Sequence, residues 1–327
     1  MRIDRSIVNK GPELEFDKFL GKGSYASVSL FKYKGKRDGK THYAAVKTSN
    51  IKHAKSLYRE FQILSEFKGC SRIVQCYGTK VLERINEEGY LEFKIPMEYA
   101  SEGSLRDFTE RFNGRKLPDP WIRRFTRMIL EGLGMIHGRG YVHCDLKPEN
   151  ILVFPGFELK ISDFGLSKRD GDSAWWRPSR PFAGTPIYMS PESISQGETR
   201  SGLDLWSLGC VVLEMYTGKR PWWHKNYKLE DLKKGYTPLI PRELPCDAKF
   251  FVMTCFMSEK DKSKNVFTLL RHCFLREDVN YKILEPLVKN ESSKDLALEL
   301  EKIEHRLSQL RSFSRKTRGI GESQHVF

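Results

Sequence analysis

The sequence predicts an α+β fold of two lobes: a small β-rich N-lobe with one helix, followed by a larger, mainly helical C-lobe. Three observations carry this. Short runs of alternating apolar and polar residues fill the first hundred positions, one run among them has helical spacing, and helical patterns dominate after Ser101. The change of character falls between Glu98 and Ser101, which marks the boundary between the lobes.

In chain order, Ser27-Val-Ser-Leu-Phe31, Tyr43-Ala-Ala-Val46 and Leu91-Glu-Phe-Lys-Ile95 read as strands. Between the second and third, residues 54 to 67 place Leu57, Phe61, Leu64 and Phe67 on one stripe of a helix. Beyond the boundary, Trp121 to Leu133 and Asp204 to Met215 read as helices. Ile151-Leu-Val-Phe154 and Glu158-Leu-Lys-Ile161 are short strand runs punctuated by Pro155-Gly156, so they fold back as a hairpin. No repeat or low-complexity tract interrupts the compact part.

Composition narrows the function classes. A chain of 327 residues can bury a sizeable core. Its apolar stretches, Val211-Val212-Leu213 among them, fall far short of the roughly twenty residues that span a bilayer. No signal-like apolar block follows Met1, so a cytosolic or nuclear location is expected. Seven cysteines without a Cys-x-x-Cys pair indicate reduced thiols rather than disulfides or zinc. The net charge of +14 favours anionic partners without choosing among them. A nucleic-acid-binding role would rest on that charge alone, since no zinc finger, RNP-like stretch or basic zipper accompanies it.

Gly21-Lys-Gly-Ser-Tyr-Ala-Ser-Val28 lets backbone amides approach a phosphate, although an ordinary hairpin turn is an equal reading of the loop by itself. It is followed by strand-like alternation, unlike a dinucleotide fingerprint, and it lacks the Walker pattern. Lys47 lies among apolar neighbours on a strand and needs a counterion, which Glu60 on the following helix supplies unless Lys47 is a surface residue of an edge strand. The most specific signal is His143-Cys-Asp-Leu-Lys-Pro-Glu-Asn150, followed by the hairpin and Asp163-Phe-Gly165. Closing the hairpin brings Asn150 beside Asp163, a hard oxygen donor set suited to Mg²⁺ shared with phosphates. Asp145 lies near the same point and could accept a hydroxyl proton.

This ordered set resembles the signature motifs of the eukaryotic protein kinases. The resemblance implies a kinase domain over residues 14–275, with an N-lobe at 14–97, a hinge at 98–101 and a C-lobe at 102–275, flanked by an extension at 1–13 and a tail at 276–327. It implies ATP and Mg²⁺ as cofactors and a protein substrate. The nucleotide-binding set would be Leu20, Gly21, Lys22, Gly23, Ser24, Tyr25, Ala26, Ser27, Val28, Ala45, Lys47, Met97, Glu98 and Ala100. Asp145, Lys147, Lys47 and Glu60 would form the catalytic set, and Asn150 and Asp163 would hold the metal. Lys147 and Gly184-Thr-Pro186 resemble the serine/threonine branch. The longer motifs are similar to plant mitogen-activated protein kinase kinase kinases of the MEKK-like group, which implies MAP kinase kinases as partners in the cytosol and sometimes the nucleus. A pseudokinase scaffold, the competing reading, would require a missing catalytic part. Asp204 resembles the family's support for the catalytic loop, with a helix N-cap as the plainer alternative.

Several positions depart from the family pattern. Cys144 stands where many kinases carry an arginine that binds a phosphorylated loop, so activity is expected not to depend on loop phosphorylation through this position unless Arg169, Arg177 or Arg180 compensates. Ala26 replaces a third glycine, and Ser263 stands where an arginine pairs with Glu192, with Lys262 or Lys264 as substitutes. Trp175 and Trp176 read as packing or as a docking surface, and Thr185 as shaping the substrate groove. In the tail, Leu296, Leu300, Ile303, Leu307 and Leu310 form a heptad-like seam, expected as a helix on the domain's own surface rather than a dimer zipper, before a disordered basic end. Oligomeric state stays open.

Overall fold

The computed structural model describes residues 14–23, 26–35, 39–172, 184–195, 199–224, 236–258 and 264–276. The readings that concern the extension 1–13, Ser24, Tyr25, Trp175, Trp176, Arg177, Arg180, Lys262, Ser263 and the tail beyond Arg276 lie outside these residues.

The alternating runs form an antiparallel sheet in the order β1-β2-β3-β5-β4, from β1 (Glu15–Lys22), β2 (Ser27–Lys34), β3 (Thr41–Asn50), β4 (Leu82–Ile85) and β5 (Leu91–Met97). Helix α1 (Ala54–Glu66) crosses one face of this sheet. Its stripe is the expected one: Leu57, Phe61 and Leu64 are buried, and so is Phe67 at the C-cap. Leu57 and Phe61 pack with Val81, Phe93 and Ile95, whereas Leu64 and Phe67 reach the C-lobe core. Each fully buried side chain of this size contributes about 1.5–3 kcal/mol, so α1 is held to both lobes by its own apolar face.

The C-lobe is built on α3 (Asp119–Gly138) and α5 (Gly202–Thr217). Helix α3 buries one stripe, whereas α5 is buried from Leu203 through Met215 and forms the centre of the lobe. The short helices α2 (Leu105–Thr109), α4 (Pro191–Ser195), α6 (Cys246–Cys255) and α7 (Val266–Leu270) complete it. Strand pairs β6 (Tyr141–Val142) with β9 (Lys168–Arg169), and β7 (Ile151–Phe154) with β8 (Glu158–Ile161), lie on the side facing the N-lobe. The predicted hairpin has the expected register, with Ile151 opposite Ile161 and Phe154 opposite Glu158.

The lobes meet through specific bonds as well as packing. The Val74 amide donates to the Ile161 carbonyl at 3.0 Å, and the Ile161 amide donates to the Arg72 carbonyl at 2.9 Å. The Arg72 side chain pairs with Glu131 at 2.7 Å and also with Glu158. At the segment between the lobes, the Glu98 carboxylate accepts from Lys160 at 2.6 and 2.7 Å and from the Gln75 amide at 2.7 Å. This fixes β5 against β8 and sets the width of the cleft between sheet and hairpin.

Candidate active site

The roof of the cleft follows from strand register. Val28 lies opposite Lys47, Lys47 opposite Ile95, and Ala45 opposite Met97. Directly paired residues share a face, and alternate residues of a strand return to it, so Val28, Ala45, Lys47 and Met97 lie on the face that carries Ile95 and looks onto α1. Gly21 pairs with Val28, and the Gly23 amide donates to the Ala26 carbonyl at 2.8 Å, closing the β1-β2 turn that holds Leu20, Lys22 and Ser27 at its sides. The described residues on either side of this loop are thus paired as the two arms of a β-hairpin.

Lys47 meets its predicted partner. Its ammonium donates to both Glu60 oxygens, at 2.8 and 2.6 Å, and to Asp163 Oδ1 at 2.8 Å. Glu60 is only 2% exposed, so it needs this cation. Burial opposes charge on Lys47, but Asp163 and Glu60 outweigh it and hold the ammonium above its ordinary range. Desolvation would raise the Asp163 carboxyl, yet Lys47 draws it down to about 2 from an ordinary 3.8. A carboxylate held down in this way contributes stability that is complete above about pH 4 and is lost as the pH falls through 2. Both groups are therefore ionised at neutral pH. Replacing Glu60 with Gln removes one anion from Lys47 and leaves it to Asp163 alone; kcat/KM for peptide phosphorylation is expected to fall by about 10²-fold through misplacement of the ammonium, as steady-state kinetics would show.

The floor of the cleft comes from the loop between β6 and β7. Asp145 is mostly buried, and its two oxygens have different partners. Thr185 donates its hydroxyl to Oδ1 at 2.7 Å, while the Lys147 ammonium donates to Oδ2 at 2.8 Å and to Thr185 Oγ1 at 2.8 Å. Asn150 spends its amide group on the Asp145 carbonyl at 2.8 Å and on Oδ2 at 3.1 Å. The hairpin is closed at its base by Ser162, whose amide and hydroxyl both donate to the Asn150 carbonyl, at 2.8 and 3.0 Å. Asn150 and Asp163 are thereby brought to the same end of the hairpin. Asp163 has φ 63°, a left-handed conformation that Asp tolerates better than most residues, and Phe164 behind it is fully buried against Phe67 and His143.

The loop itself hangs from α5. Asp204 is fully buried and accepts from the His143 amide at 2.8 Å, the Cys144 amide at 3.0 Å and His137 Nε2 at 2.8 Å. The helix N-cap is Ser201, so Asp204 supports the loop rather than capping the helix. Cys144 has φ 69°, and burial pushes its thiol well above its ordinary range. The loop packs so closely on the segment carrying Thr185 that a Cβ on Gly184 would lie 2.6 Å from the Cys144 carbonyl. Gly184, at φ 122°, is the residue type that this approach requires. Tyr188 anchors the same segment, donating to Glu214 at 2.6 Å, and Arg106 pairs with Glu214 at 2.6 Å and with Glu149 at 3.3 Å.

The donor set fits a hard cation. With its NH₂ committed to Asp145, Asn150 has its oxygen left to offer, and the Asp163 carboxylate is 46% exposed toward the cleft. Among the described residues no three His, Cys, Asp or Glu are gathered around a metal position. Two oxygen donors match Mg²⁺, which keeps waters and takes further oxygens from phosphates.

The sequence model of the protein kinase domain family matches residues 14–280. The chain belongs to the protein kinase family. Mitogen-activated protein kinase kinase kinase 20 of Arabidopsis thaliana is 35% identical to this kinase over 267 residues, covering 80% of this chain and 77% of the relative. Mitogen-activated protein kinase kinase kinase 17 of the same plant is 32% identical over 284 residues, covering 84% and 73%. A mouse relative, mitogen-activated protein kinase kinase kinase 15, is 35% identical over 79% of this chain and 19% of its own length. The kinase is an ATP-dependent serine/threonine enzyme of two lobes, related to the mitogen-activated protein kinase kinase kinases. Among its described residues no helix is long and apolar enough to cross a membrane.

The structure refines some expectations and adds residues. The Glu98 amide is taken by the Gln75 carbonyl at 3.0 Å, so the Glu98 backbone has only its carbonyl oxygen to offer a ligand; Ala100, two residues on, is buried. Lys264, one candidate partner for Glu192, donates to the Met257 carbonyl at 2.8 Å. Arg169, one candidate substitute for the arginine missing at 144, lies over the Tyr141 ring and donates to the Arg139 carbonyl. His137, His143 and Ser162 were not among the expected site residues. His143 holds the loop by accepting from the Asp145 amide through Nδ1 at 3.3 Å and meeting the Ser162 carbonyl through Nε2 at 2.9 Å. Its place two residues before Asp145 was a usable signal, whereas nothing local marked His137.

Proposed function

We propose that this kinase phosphorylates serine or threonine on MAP kinase kinases, with Asp145 orienting the acceptor hydroxyl and receiving its proton. The observation that carries the chemistry is the Asp145 carboxylate fixed between Lys147 and Thr185. A hydroxyl already donates to Oδ1, which is the contact an acceptor serine or threonine must make. When bound, ATP supplies the phosphoryl group and Mg²⁺ neutralises charge along its phosphates. On this reading Asn150 and Asp163 hold the cation, and Lys47, kept charged by Glu60, neutralises phosphate oxygens. Lys147 steadies the transferred group, the Gly21 to Val28 turn covers the phosphates, and Ala45, Met97, Glu98 and Ala100 enclose the base. Such a site works by positioning and fixed charge rather than by covalent chemistry.

The substrate class rests on the relatives, which are named as mitogen-activated protein kinase kinase kinases in plant and mouse alike. Cytosolic and nuclear residence belongs to the same proposal. The test is phosphorylation in vitro of a panel of purified MAP kinase kinases, each made catalytically dead. Labelling of at least one on activation-segment serine or threonine is expected. Labelling of a generic basic protein and of none of the panel removes the substrate assignment and leaves the kinase activity standing.

A further inference from the structure

Helix α6 has two apolar faces. One, with Ala248, Phe251, Val252 and Cys255, is fully buried in the C-lobe core. The other carries Phe250 at 58% exposure, Met253 at 57% and Met257 at 39%, together with exposed Cys246. The Met257 amide donates to the Thr254 carbonyl, so the turn continues past the helix end. Positions 246, 250, 253 and 257 are spaced four, three and four apart and lie on one side. Large apolar side chains aligned in this way on a surface mark a contact site.

The sequence contains a matching element. Leu296, Leu300, Ile303, Leu307 and Leu310 are spaced four, three, four and three apart. Two heptads are too short to hold a zipper alone, so such a helix needs an apolar surface of the same period. The described chain ends at Arg276, and His272, four residues earlier, lies tilted against Phe250 with ring centres 5.0 Å apart. Residues 277–295 link Arg276 to the seam, and a chain of nineteen residues reaches well beyond the roughly 15 Å length of α6. A tether this short raises the local concentration of the seam to the order of millimolar, so modest affinity suffices.

We propose that residues 296–310 of this chain dock as an amphipathic helix on the Cys246, Phe250, Met253 and Met257 face of α6. The contact is intramolecular and lies on α6, a helix that packs against α5 and carries none of the cleft residues.

The full chain tests this. Glu299 and Arg311 flank the two ends of the seam, so Glu299→Cys and Arg311→Cys, made separately, cover both docking directions. With a short bis-maleimide, one of them is expected to bridge to Cys246 within a monomer, and the bridge is lost in Cys246→Ser. Amide exchange in 296–310 is expected to slow at least about tenfold relative to Met253→Glu, a change at an exposed position whose unaltered melting temperature is checked alongside. Failure of both variants to bridge, bridging only between chains with a doubled mass, or equal exchange in the parent and Met253→Glu would each overturn the proposal.

Discussion

Replacing Asp145 with Asn lowers kcat by about 10²–10⁴-fold, with little change in melting temperature. The amide keeps the shape of the side chain but loses its negative charge. It can still accept one hydrogen bond, and its NH₂ now faces either the Thr185 hydroxyl or the Lys147 ammonium, both of which donate to Asp145 in the parent. A group that cannot take a proton cannot serve the acceptor hydroxyl. Because Asn150 also donates to Oδ2 at 3.1 Å, the change perturbs the metal-side asparagine and adds to the loss. Initial-rate measurement with a peptide substrate, beside thermal melts of both proteins, separates this loss from unfolding. A reduction smaller than about tenfold would mean that Asp145 positions the loop and does not handle the proton.

Asp204→Ala is expected to cost about 2–6 kcal/mol of stability, since it strands two buried backbone donors at about 1–3 kcal/mol each. The His143 and Cys144 amides lose their common acceptor, and His137 loses its partner. Activity falls with stability because the loop that carries Asp145 is no longer held to α5. Burial would raise the Asp204 carboxyl, but its bond with His137 draws it below the ordinary 3.8. The ionised part of its contribution is therefore complete above that value and is lost as the pH falls below it, so the stability gap between the parent and Asp204→Ala should narrow in strong acid. Urea unfolding at neutral and acid pH measures this. A cost near 1 kcal/mol at neutral pH would be that of a lost helix cap, and the supporting role would be refuted.

Much of this site is visible in the sequence because it repeats or punctuates. The stripe of Leu57, Phe61, Leu64 and Phe67 places α1, which puts Glu60 within reach of Lys47. Pro155-Gly156 sets the hairpin that gathers Asn150 and Asp163. What periodicity does not reveal is single residues paired across long separations. His137 and Asp204 lie 67 positions apart, and Tyr188 finds Glu214 on a helix buried on every side, where no amphipathic pattern distinguishes a functional face. The Glu98 amide illustrates a further limit, since its bond to Gln75 depends on how the lobes meet. Backbone strain is equally hidden: the positive φ of Cys144 and Asp163 follows from the loop's attachment to α5 and from the buried Phe164, not from local preference.

The decisive measurement is a crystal structure with Mn²⁺ and a non-hydrolysable ATP analogue, with the cation located by its anomalous signal. The cation is expected between the Asn150 side-chain oxygen and the Asp163 carboxylate, with the Lys47 ammonium on the phosphates and the terminal phosphate toward Asp145. A nucleotide seated outside the cleft, or a cation that touches neither Asn150 nor Asp163, would contradict the account.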